Sequence, residues 1–129
     1  LNGFFHVTRP LIMPMIRQRW GRIVSIASIA ALHGNRGQVN YAAAKAGVIG
    51  ASRSLAREVA SRGICVNVVA PGFVDTGMIA DIPAETIKAL VPMQRSGRAD
   101  EIAAVVAFLC SDDTAYMTGE VLNVSGGII

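Results

Sequence analysis

Residues 39–72 read VNYAAAKAGVIGASRSLAREVASRGICVNVVAPG, and this stretch decides the fold. Val39 to about Arg62 is expected to be one long helix. Its small residues, among them Ala42, Ala43, Ala46, Gly47, Gly50 and Ala51, let another backbone approach closely. Gly63 suits the position after the helix, because it adopts positive φ freely. Ile64-Cys65-Val66-Asn67-Val68-Val69 then reads as a short, buried strand, stopped by Pro71-Gly72.

The same rhythm extends in both directions. Upstream, Arg22 to Ala27 reads as a second buried strand, since Ile23-Val24-Ser25-Ile26 is short and β-branched. Gly34, Asn35 and Gly37 mark a loop after it. Phe5 to Arg19 has helical character, with Pro10 and Pro14 expected to interrupt it and Gly21 to end it. Downstream, Phe73 to Gly97 is turn-rich. Asp100 to Ser111 is a helix, with Ile102, Val105, Val106 and Leu109 forming one apolar stripe. Asp100 and Glu101 suit the positive end of its dipole. Val121 to Val124 is a last strand, ended by Gly126-Gly127. Strands alternating with helices predict an α/β chain whose parallel sheet is covered on both faces.

The 129 residues fit a single domain. At 52% hydrophobic and 16% charged, the chain is apolar for a soluble domain. That balance suits burial by helices, by partner subunits or by further sequence. Stretches without charge, such as Ile23 to Asn35, fall short of the roughly 20 residues a spanning helix needs. The start, Leu1-Asn2-Gly3-Phe4-Phe5, has neither a signal-peptide pattern nor an initiator Met, so the chain is expected to begin in mid-protein. The net charge of +3 is carried by arginines, among them Arg9, Arg17, Arg22, Arg36 and Arg53. They read as solvated surface or as attraction for phosphates or an acidic partner. No basic run with interleaved aromatics speaks for nucleic acid. Cys65 and Cys110 are expected to be buried free thiols of a reducing, cytoplasmic protein. His6 and His33 have no metal-ligand spacing.

Tyr41 and Lys45 are four residues apart, which puts them on one helix face with Cβ atoms about 5–6 Å apart. A cation beside a phenol favours the phenolate and makes a general acid/base available near neutral pH. The pair alone is equally a chance pairing on a wet helix face. Ser28 follows the first strand directly, however. In a parallel sheet, ligands bind outside the carboxyl ends of strands, so Ser28 and Tyr41 can meet at one crevice. A hydroxyl there can donate to a carbonyl oxygen as it becomes alkoxide. Alternatively, Ser28 only caps local backbone, and Ser25 is its nearest competitor.

Ser28 followed by Tyr41-Ala42-Ala43-Ala44-Lys45 resembles the Ser…Tyr-x-x-x-Lys signature of the short-chain dehydrogenase/reductases. The resemblance runs on through residues 54–64, 66–76 and 106–112, then Thr118-Gly119 and Val124-Ser125-Gly126-Gly127, and so covers the whole chain. It is nearest to the 3-oxoacyl-[acyl-carrier-protein] reductases, although ketone and sugar dehydrogenases share most of these motifs. The resemblance implies the C-terminal half of a doubly wound, Rossmann-type sheet. It also implies hydride transfer from NADP or NAD, with NADP favoured, to a 3-oxoacyl thioester. Tyr41 would pass the proton to the carbinol oxygen. Lys45 would favour the phenolate and hydrogen-bond the nicotinamide ribose, and Ser28 would polarise the carbonyl. Pro71-Gly72 would bring backbone near the nicotinamide, with Val74 and Thr76 at its carboxamide.

The family's glycine-rich pyrophosphate turn and the Asn of its catalytic tetrad have no counterpart here. Residues 1–129 are therefore expected to be a partial domain, catalytic but lacking the dinucleotide-binding half. It should show an open sheet edge on Arg22–Ala27, and the isolated chain should be unstable. Phe73 to Arg95 would be the substrate flap, with Met78, Ile79, Ile82, Leu90 and Met93 lining an acyl channel or simply packing. Arg19 and Arg62 match positions that dock the acyl carrier protein. The two longest helices would pair between subunits of a homotetramer, although Pro10 and Pro14 depart from the smooth family helix. Two other readings remain at this stage: a related dehydrogenase of alcohols, sugars or steroids, and a non-catalytic oligomerisation fragment.

Overall fold

The computed structural model describes residues 1–128. Its elements run α1 (Asn2–Gln18), β1 (Gly21–Ile26), α2 (Ala30–His33), α3 (Val39–Val59), β2 (Ile64–Pro71), α4 (Ala84–Leu90), α5 (Ala99–Cys110) and β3 (Val121–Val124). The three strands pair in parallel, in the order β1-β2-β3. Gly21 pairs with Ile64 and Ile26 with Val69, while Val68 pairs with Val121.

β2 is the centre of the fold. Every residue from Ile64 to Ala70 is buried, as a strand covered on both faces requires. Ile64 and Val66 pack with Ala56 and Val59 of α3 and with Ile12, Met15 and Ile16 of α1. Val68 continues that face against Ile49. Cys65, on the other face, lies against the carbonyls of Thr114 and Ala115. Asn67, buried in the strand, uses both the nitrogen and the oxygen of its amide. It donates to the Met117 carbonyl (2.9 Å) and accepts the Glu120 N–H (3.1 Å), which fixes the entry to β3. The stripe expected on α5 is present: Leu109 is fully buried and Ile102, Val105 and Val106 are half-buried. Burying one such leucine is worth about 1.5–3 kcal/mol. Among the described residues, the outer side of β1 carries no strand, so the expected open edge is there.

Several expectations need correction. α1 begins at Asn2 and runs unbroken through Pro10 and Pro14. The carbonyls that lose their helical donors belong to His6 and Pro10, both exposed, where water can serve them. The helix stops at Arg19 rather than Gly21. Arg19 takes the left-handed conformation (φ 51°), and the N–H groups of Arg19 and Trp20 close back on Ile16 and Met15. Gly21 opens β1 instead, and a Cβ there would sit 2.7 Å from the Met15 sulfur. The long helix ends at Val59, with a single 3-10 turn over Ala60–Arg62 before Gly63 at φ 72°. The short helix α2 was not expected. Cys110 is exposed rather than buried. Arg22 is not a solvated charge: its side chain is 5% exposed, stacks 5.1 Å from the Trp20 ring and bonds Asp112 and the Ser111 carbonyl.

Candidate active site

The carboxyl ends of β1 and β2 and the start of α3 converge on one cleft of about 350 Å³. Ser28, Tyr41 and Lys45 line it, as do Pro71, Gly72, Val74 and Thr76. All seven residues singled out from the sequence thus share one wall-to-wall space. Ile26, Ala27, Met78 and Ile79 complete it.

Ser28, Lys45 and Thr76 are each tied to backbone groups. The chain leaving β1 is pinned by two bonds, Ala27 N–H to the Val69 carbonyl (2.8 Å) and Ile29 N–H to the Pro71 carbonyl (3.0 Å). Ser28 sits between them. Its Oγ accepts the Ala30 N–H at 3.2 Å, so Ser28 caps local backbone. Accepting that bond leaves the hydroxyl proton free to donate into the cleft. Ser25 does not compete: its Oγ accepts from Ser52 at 3.3 Å, between β1 and α3 and outside the cleft.

Lys45 reaches across to β1. Its Nζ donates to the Ile26 carbonyl at 2.9 Å and lies 5.8 Å from the centroid of the Tyr41 ring. An ammonium has three donors, so two remain for other groups in the cleft. The Ile26 carbonyl is the one partner that sequence could not reveal, because any residue supplies it. Thr76 donates its hydroxyl to the Val74 carbonyl (3.3 Å), leaving oxygen lone pairs as acceptors. Gly72 has a structural reason to lack a side chain: a Cβ would lie 2.8 Å from the Ser125 Cα. Its N–H bonds the Val124 carbonyl at 3.0 Å.

Of the five expected channel residues, only Met78 and Ile79 reach this cleft. Leu90 lines a neighbouring space of about 200 Å³ with Phe73 and His33, and Met93 lies beyond, beside Gly126. Among the described residues no cluster of His, Cys, Asp or Glu could hold a metal ion, and no helix is long and apolar enough to cross a membrane.

This geometry can be set beside known proteins. Residues 1–129 match the family described as Enoyl-(Acyl carrier protein) reductase, over the whole chain. The chain belongs to the short-chain dehydrogenase/reductase family. Among its relatives, the 3-oxoacyl-[acyl-carrier-protein] reductase of Escherichia coli is 54% identical over 131 aligned residues, covering 99% of this chain and 54% of that relative. The corresponding reductase of Salmonella typhimurium is 53% identical at the same coverage. That of Thermotoga maritima is 46% identical, over 100% of this chain and 54% of its own length. The chain thus spans about half the length of the curated relatives it matches.

A second polar cluster lies at the start of α5. Arg95 donates from both terminal nitrogens to the two Glu101 oxygens, each at 2.7 Å. Glu101 also accepts the Arg98 N–H at 2.7 Å, capping α5. The Arg95 bond first, and the Arg98 N–H second, pull the Glu101 carboxyl down to about 2. A carboxyl lowered on folding stabilises the fold above its ordinary range and loses that contribution as pH falls from about 4.5 towards 2.

Proposed function

We propose that residues 1–129 form the catalytic half of an NADP- or NAD-dependent reductase of 3-oxoacyl thioesters, NADP being the favoured cofactor. The observation carrying this reading is that Ser28, Tyr41 and Lys45 meet in one cleft of a chain half identical to such reductases. The cleft would take the nicotinamide end of the cofactor. The rest of the dinucleotide site would lie outside residues 1–129. When bound, the cofactor supplies the hydride. The chain's residues do the rest. The Ser28 hydroxyl donates to the substrate carbonyl and holds its carbon facing the nicotinamide. Tyr41 gives its phenolic proton to the oxygen as the C–O double bond becomes a single bond. Lys45, fixed to Ile26, offers its remaining donors to the ribose hydroxyls and keeps positive charge beside the phenol. The Thr76 oxygen can accept from the carboxamide.

The family description favours a second reading, reduction of an enoyl thioester. A serine donor beside the phenol suits a carbonyl oxygen better than a carbon–carbon double bond. The test uses a hybrid in which this chain replaces the matching segment of the Escherichia coli relative. That hybrid should oxidise NADPH with acetoacetyl thioester and leave crotonyl thioester and free ketones untouched. The 129 residues alone should not bind NADPH or NADH tightly, as followed by nicotinamide fluorescence. Turnover of the enoyl thioester alone would replace the reading. Tight binding by the isolated chain would overturn its division of labour.

The proposed partners are acyl carrier protein and further copies of the chain, as a homotetramer. Arg19 lies against the turn that carries Arg62, its Nη2 approaching the Ser61 carbonyl at 3.5 Å. Both arginines lie at the amino ends of β1 and β2. Eight residues of β2, roughly 25 Å at about 3.3 Å per residue, separate that end from the cleft. A carrier docked there cannot sit over the cleft of the same chain. Antiparallel pairing of α3 with a second α3 would bring the Tyr41 end of one copy to the Arg62 end of the other. An apolar groove between α1 and α3, with Phe5, Ile12, Met13 and Leu55 in its walls, supports such pairing. Phe5, Val7, Leu11 and Met13 are all exposed along α1. Arg19→Glu with Arg62→Glu in the hybrid should raise KM for carrier-bound substrate about tenfold, with KM for a small thioester unchanged. Equal losses with both substrates would remove the docking role.

A further inference from the structure

We propose that Arg95 and Glu101 are positioning residues for the wall of the cleft formed by Val74 and Thr76, acting through Gly97. The proposal rests on the reading of that wall as the nicotinamide side of the site. From Val74 the chain runs on through the flap and returns beside Val74 at Gly97. There it closes a short parallel ladder. The Asp75 N–H donates to the Gly97 carbonyl and the Gly97 N–H to the Phe73 carbonyl, each at 2.8 Å. These two bonds are what fixes the backbone on both sides of Val74.

Gly97 has no side chain of its own to hold it in place. It is held from both flanks. Before it, Arg95 grips Glu101 with two charged bonds and also donates to the Ser96 carbonyl at 3.0 Å. After it, the Arg98 N–H donates to the same Glu101 carboxylate. The carboxylate lies over Gly97 itself, since a Cβ built there would be 4.0 Å from Glu101 Oε2. Glu101 stands in the first turn of α5, whose far end is anchored by the fully buried Leu109. The pair therefore ties the returning flap to a fixed helix. Fork-on-fork geometry restricts direction as well as distance, which a single point charge would not do.

The far side of the flap exit is fixed separately. The Met93 N–H bonds the Gly126 carbonyl at 3.0 Å, and a Cβ on Gly126 would strike Val91. Residues 91–93 thus stay anchored when the arginine–glutamate pair is broken. Loosening is confined to residues 95–97 and, across the ladder, to 73–76.

The test is amide hydrogen exchange on the hybrid carrying Glu101→Gln or, separately, Arg95→Met. Both variants should speed exchange at Asp75 and Gly97 about tenfold, while Val66 and Val68 in β2 stay as in the parent. A change in Glu101→Gln alone would mean that only the α5 cap matters, and would overturn the proposal. So would no change in either variant, or equal acceleration in β2. In the hybrid, the same variants should raise KM for the nicotinamide cofactor with kcat held. A parent hybrid without activity would remove the proposed function and leave the exchange result to decide the positioning role.

Discussion

Tyr41→Phe in the hybrid lowers kcat for acetoacetyl thioester by about 10²–10⁴, the range typical of a lost general acid. The substitution removes one oxygen and keeps the ring. Lys45 stays in place, because its bond at 2.9 Å is to the Ile26 carbonyl and not to the phenol. Ser28 also stays, held by the Ala27 and Ile29 backbone bonds on either side of it. Cofactor affinity should therefore remain within about twofold, and the loss should appear in the chemical step. Tyr116→Phe is the matched control: that ring is fully exposed and outside the cleft, so kcat should not move. Steady-state rates with saturating NADPH decide the matter. A Tyr41→Phe hybrid within threefold of the parent would remove Tyr41 from the proton path and, with it, the proposed mechanism.

The features legible in the sequence were those set by local, repeated chemistry. Ile64 to Val69 is apolar on nearly every residue because it is covered on both faces, and it is the central strand. Val121–Val124 and the α5 stripe follow for the same reason. Tyr41 and Lys45 were legible because helical spacing of four fixes their relation before any tertiary contact forms. Ser28 was legible because strand ends are where such clefts open. The unread features depend on what lies opposite. Pro10 and Pro14 each remove a helical donor, but the carbonyls they leave free are exposed, and α1 continues through both. Arg22 reads as surface until Trp20 and Asp112 are placed around it. Cys110 has apolar neighbours in sequence, but the last turn of α5 points it outward. Arg95 and Glu101 are six residues apart across a loop, a spacing with no periodic meaning. Only the fold brings them together.

Gly63 carries a comparable expected effect on stability. It sits where α1, α3 and β2 meet, with φ at 72°, a conformation that costs an ordinary residue about 1–2 kcal/mol. A Cβ there would also overlap the carbonyl oxygen of Arg19. That oxygen belongs to backbone locked by the α1 stop, so it cannot rotate away as a side chain can. Overpacking of this kind costs about 1–3 kcal/mol. Gly63→Ala should accordingly destabilise the hybrid by about 2–5 kcal/mol, taking the two costs as additive, and lower its urea midpoint. Gly63→Asn separates the causes, because asparagine tolerates positive φ but still carries a Cβ. If the overlap dominates, the asparagine variant should lose nearly as much as the alanine variant. If conformation dominates, it should recover most of the loss. A Gly63→Ala protein within about 0.5 kcal/mol of the parent would mean that α1 does not end against α3 as described. The shared corner that brings Arg19 against the turn carrying Arg62 would then fall as well.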